Sequence, residues 1–130
     1  MRFLALLAML SVPLLGGCSD TCGERVISRT DAPSGEHSAV LFEANCGATT
    51  GFSTQVAVVD AGAEPDSDRL VFAADDRDHQ AQPGNWGGPD ARLEWLTGEH
   101  LRITYSAGAH IFQRKAEMSG VKVTIRSDIE

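Results

Sequence analysis

The sequence predicts an all-β domain, a small antiparallel β-sandwich or a partly open β-barrel of about seven or eight strands closed by one disulfide. Three observations predict it. No stretch beyond residue 18 carries the i, i+3, i+4, i+7 apolar stripe of an amphipathic helix, and residues 113–118 have room for one helical turn at most. Short apolar runs recur roughly every 8 to 12 residues between turns rich in Gly, Pro and Asp. Finally, residues 91–105 alternate cleanly: Leu93, Trp95, Leu101, Ile103 and Tyr105 share one parity, and Arg92, Glu94, Arg102 and Thr104 take the other. Such alternation specifies a hairpin with one buried face and one wet face.

The chain opens with a targeting segment. Arg2 precedes an apolar run over residues 3–15 that is too short to span a bilayer and matches the core of a secretory signal, assigned to residues 1–17. Leu15, Gly16, Gly17 and Cys18 follow in a pattern that resembles the bacterial lipobox. That resemblance implies cleavage before Cys18 and lipid attachment to its sulfur, with acyl chains holding residues 18–24 as a tether. Ser19 after the cysteine, by resemblance to the sorting rule of enterobacterial lipoproteins, implies a lipid-anchored protein of the bacterial cell envelope, at the outer membrane and facing the periplasm.

The processed chain of 113 residues suits one domain, placed at 25–130, with a single core. It carries 10 basic and 18 acidic residues, a net charge of −8. This argues against nucleic acid or anionic headgroups as partners and suits a basic protein partner. Cys22 and Cys46 remain as an even pair in an oxidising compartment, where a disulfide is the default. Closing that loop would contribute roughly 3.5 kcal/mol on the chain-entropy model.

The strands follow in order. Residues 25–29, with Val26 and Ile27, make a first strand, and 31–35 a turn. Residues 38–44 are apolar at both parities, Val40 and Phe42 against Ala39 and Leu41, as expected of a strand covered on both faces. Residues 54–60 form its neighbour, with Val56 and Val58 alternating. An acidic connection at 60–68 leads to a short strand at 69–73, and residues 75–89 are polar, Gly-rich and irregular. After the 91–105 hairpin come strands at 109–114 and 121–126. Two segments share Gly-Glu-His running into a strand, at Gly35 and at Gly98.

The connection over 45–55 is richer than a turn requires. It holds Cys46, Gly47, Thr49, Thr50, Gly51, Phe52, Ser53 and Gln55. The run from Cys46 to Thr54 resembles that of a family of small bacterial exported proteins and lipoproteins with no assigned activity, and the likeness extends over about residues 33–125. It names relatives and implies no function. From the residues themselves, the two glycines permit close backbone approach, and successive N–H groups beside the hydroxyls of Thr49, Thr50 and Ser53 suit an anion or a partner's carbonyl. On the plainer reading the hydroxyls serve the loop's own backbone and Phe52 packs on the core.

No catalytic set emerges. Ser53 or Thr50 as nucleophile would need one of His37, His79, His100 or His110 as base, and no glycine-flanked serine elbow is present. No histidines stand at zinc spacing, and the acids around Asp75, Asp76 and Asp78 lack a calcium-loop pattern, so no metal and no cofactor is expected. Trp86 is either an exposed anchor or a cover for one end of the core. The expectation is a non-enzymatic binding module acting through residues 46–55. The alternatives are a periplasmic inhibitor or immunity-type protein similar to the lysozyme-inhibitor lipoproteins and, behind it, a Ser/Thr-dependent hydrolase.

Overall fold

The computed structural model describes residues 23–45, 52–76 and 80–128, and they form two stacked sheets. The first holds five strands in the order β1-β2-β3-β4-β7: β1 (Gly23–Asp31), β2 (His37–Asn45), β3 (Phe52–Asp60), β4 (Leu70–Asp75) and β7 (His110–Arg114). The second holds β5 (Ala91–Thr97), β6 (His100–Ser106), β9 (Val121–Asp128) and the two-residue β8 (Glu117–Met118), in the order β5-β6-β9-β8. The fold is the sandwich, with no closed barrel.

Register explains which side chains meet. Ala39 faces Val58 and Leu41 faces Val56, which aims these four at the second sheet. There they join Val71, Phe72 and Ala74 against Leu101, Ile103, Val121 and Val123 in the main core. The Phe72 and Tyr105 rings, 5.7 Å apart, bridge the layers, and Trp95 Nε1 donates to the Thr30 carbonyl at 2.9 Å, tying β5 to β1. The opposite parity of β2 and β3, with Leu70 and Ala73 of the bulged β4, forms a second cluster of Val40, Phe42, Ala57, Val59, Leu70 and Ala73. These strands are buried on both faces, as their continuous apolar runs require.

Several expectations are corrected. The strand following the 46–51 connection begins at Phe52, two residues earlier than the apolar alternation indicated, because Phe52 and Ser53 extend the ladder to Asn45 and Ala44. Residues 117–118 are strand rather than helical turn. Ser119 (φ 52°) and Gly120 (φ 81°) form a tight turn that folds β8 back on β9. The antiparallel expectation fails at one pair, β6 and β9, which run parallel. The cause is connectivity: after β6 the chain crosses to the first sheet as β7 and returns, so β9 enters from the end where β6 began.

The strands define two ends. One gathers the β1–β2, β3–β4 and β5–β6 turns, where the two Gly-Glu-His segments meet and Ser34 Oγ donates to the Gly98 carbonyl at 3.3 Å. The other gathers the start of β1, the end of β2, the start of β3, residues 80–90 and the β6–β7 turn.

Leu101 is fully buried between Trp95 and Val123, so Leu101→Ala should cost about 2–5 kcal/mol in chemical denaturation, whereas Val26→Ala at a 45%-exposed position on β1 should stay within about 0.5 kcal/mol. Equal losses at the two positions would contradict this placement of the core.

Candidate functional site

The described part of the candidate loop belongs to a strand. Phe52, Ser53 and Gln55 lie in β3, while Cys46, Gly47, Thr49, Thr50 and Gly51 lie outside the described residues, as do Cys18 and Cys22. Alternation sends Ser53 and Gln55 to the outer face and Phe52 and Thr54 toward the second sheet. Phe52 keeps 38% of its surface exposed. Ser53 Oγ donates to the Ala44 carbonyl at 3.2 Å and accepts from Gln55 Nε2 at 3.2 Å.

Thr54 is the residue the sequence reading left out of the site. It is fully buried in the same row as Val56 and Val58, so its hydroxyl must find protein partners. It finds two. Trp86 Nε1 donates to Thr54 Oγ1 at 2.8 Å, and Thr54 Oγ1 donates to the Pro89 carbonyl at 2.6 Å. A flap over residues 83–89, closed by a bridge between Pro83 and Pro89 and by Gly84 N–H donating to the Gly88 carbonyl at 2.8 Å, is thereby pinned across the end of the core. The flap is anchored to the second sheet as well. Ser106 Oγ donates to the Gln82 carbonyl at 2.9 Å, and Ser106 N–H to the Asp90 carbonyl at 2.9 Å. Gly88 permits the close approach: a Cβ there would stand 2.7 Å from Thr54 Oγ1 and 3.1 Å from Trp86 Nε1.

Beside the flap runs an open groove of about 350 Å³, lined by Arg25, Val26 and Ile27 of the β1 edge and by Asn85 and Trp86 of the flap. Arg25, Glu43 and Thr54 form one cross-strand row beneath it. Arg25 Nε lies 3.2 Å from Glu43 Oε1, while Glu43 Oε2 is buried with no hydrogen-bond partner.

The hydrolase set is not brought together among the described residues. Ser53 is engaged by Ala44 and Gln55 on the outer face. His37 stands at the far end of β2, about 25 Å along the strand from Asn45. His100 Nε2 lies 2.6 Å from Thr124 Oγ1, and His110 Nδ1 lies 3.6 Å from Asp75 Oδ2. His79 and Thr50 lie outside the described residues. No group of three or more His, Cys, Asp or Glu suited to a metal occurs among the described residues.

No family model, curated protein or solved structure matches this chain, so its function is argued from its own residues.

Glu43, Arg25 and Asn85 escaped the sequence reading because their meeting depends on the β1–β2 register and on where the irregular 76–90 segment lands. Thr54 had a signal, a hydroxyl in phase with Val56 and Val58. Thr54→Val should cost about 1–3 kcal/mol in chemical denaturation, because the Trp86 N–H and the Pro89 carbonyl both lose their partner. Gly88→Ala should be destabilising in the same assay, and a neutral result for both would show that the flap is not held through Thr54.

Proposed function

We propose that this chain is a lipid-anchored protein of the bacterial envelope and a non-enzymatic binding module, working through the end of the sandwich that carries residues 46–55. The observation that carries the reading is the construction of that end: a flap fastened by buried hydrogen bonds, with an open groove beside it.

Position supports the anchoring. Gly23 pairs with Asn45, so a tether from Cys18 enters the domain beside the 46–51 connection. Residues 19–22, even fully extended, reach about 14 Å. Lipid on Cys18 would therefore hold the binding end toward the membrane surface. The disulfide of Cys22 with Cys46 fits the same register, in which their chain neighbours Gly23 and Asn45 face one another across an antiparallel pair.

Cys18→Ser should move the protein from the membrane to the soluble fraction. In cells, crosslinking and affinity capture should recover a partner or ligand with the anchored wild type that is lost with Thr49→Ala/Thr50→Ala/Phe52→Ala and retained with Leu96→Ser, an exposed position near the opposite end. Capture that is indifferent to the triple variant would sink the assignment of function to this end.

A further inference from the structure

We infer that the outer face of the five-stranded sheet is a docking face for one apolar segment, and that in the unprocessed chain its occupant is residues 3–15 of the chain itself. The inference goes beyond the binding-module reading, which concerns one end of the sandwich and not this face.

The face is apolar by construction. Register sets Val40 of β2 beside Ala57 of β3 and Leu70 of β4, and in the next row Phe42 beside Gln55 and Ala73, with Val59 one row further along β3. No charged side chain interrupts these rows between β2 and β4. The second sheet packs on the other side, against Ala39, Leu41, Val56 and Val58. Among the described residues, no strand or helix stacks on the outer side.

The six apolar side chains of this face are nevertheless between 0% and 8% exposed. Val26, across from Phe42 on the edge strand β1, is 45% exposed, which is how an apolar side chain on a bare sheet face stands to water. Arg29, across from Val40, gives a second sign: its Nη1 is buried and has no hydrogen-bond partner. A cover that buries a guanidinium nitrogen and offers it no acceptor is apolar.

The covered zone is narrow. Val26 on β1 and Phe112 on β7 stay 45% and 52% exposed, so the cover spans β2 to β4 and stops short of both edge strands. Three strands stand about 10 Å across, and the rows from Val59 to Phe42 run about 13 Å along them. One apolar segment, about 10–12 Å wide if helical, has that footprint. A second copy stacked sheet on sheet would reach the edge strands as well.

Composition decides which segment it is. Beyond the described residues the chain has 1–22, 46–51, 77–79 and 129–130. The last three read Cys-Gly-Ala-Thr-Thr-Gly, Arg-Asp-His and Ile-Glu, each polar or too short. Residues 3–15 are apolar apart from Ser11 and Pro13. Residues 16–22 join them to Gly23 at the start of β1 with a reach of up to about 23 Å, against about 10 Å from β1 to β3. On the lipid-anchored reading, cleavage before Cys18 takes this cover away, so processing and the baring of an apolar docking surface are one event.

Methyl-labelled nuclear magnetic resonance with a soluble paramagnetic agent reads the cover directly, on the full chain carrying Cys18→Ala and on residues 18–130 with the same substitution. In the full chain the methyls of Val40, Val59 and Leu70 should be shielded from the agent like those of Val58 and Leu101 in the main core. In 18–130 the first three should lose that shielding while the last two keep it, and a synthetic peptide of residues 1–17 should restore it. Leu7→Asp/Leu10→Asp in the full chain, which leaves the domain's own sequence intact, should bare the same three methyls. Shielding in 18–130 that fades on dilution supports the inference, since a second copy then takes the face only once the segment is gone. Shielding of the three methyls that persists in 18–130 at every concentration, or that survives the double variant, overturns it.

Discussion

A hydroxyl buried on an otherwise aliphatic strand face ties the flap end of this molecule together. Thr54 occupies a position in β3 where the row below it holds Val56 and Val58, and valine there would satisfy the core. The hydroxyl instead accepts from the Trp86 indole and donates to the Pro89 carbonyl. Each bond polarises the next, so the pair holds the flap more firmly than two separate contacts would. The placement of the indole against Gly84, and of the flap that borders the groove, depends on it.

The two ends of the sandwich solve different problems. At the far end the two Gly-Glu-His turns meet side by side, Arg69 reaches the Val58 carbonyl and Asp60, and Ser38 Oγ donates to Asp31 at 2.7 Å. These contacts close that end, although His37 Nδ1 there is buried without a hydrogen-bond partner. At the near end Glu43 Oε2 is left without a donor although its neighbours are arranged with care. What sets the near end apart is the flap fastened through Thr54 and the groove beside it.

Much of the fold was legible in the sequence. The 91–105 alternation specified the β5–β6 hairpin because period two fixes both face and register, and the two-parity apolar run of β2 marked a strand covered on both sides. The parallel β6–β9 pair was not legible, since it follows from β7 crossing between sheets, a choice that no local pattern encodes. The site was legible only in outline. The glycine- and hydroxyl-rich stretch drew attention to the end that the flap covers, yet Phe52, Ser53 and Gln55 are strand residues, and Ser53 serves its own neighbours. Glu43 reads locally as the polar end of an apolar strand, and Asn85 and Trp86 as part of an irregular segment. The register of β1 on β2 pairs Glu43 with Arg25, and the fastening to Thr54 sets the flap beside the β1 edge.

That fastening is open to direct measurement through hydrogen exchange at the Trp86 indole, followed by nuclear magnetic resonance in the wild type and in Thr54→Val. The account predicts that the wild-type Trp86 N–H is protected to the level of the central β3 amides and that the variant loses this protection while Trp95, held by the Thr30 carbonyl, keeps its own. A Trp86 N–H that exchanges freely in the wild type would contradict it.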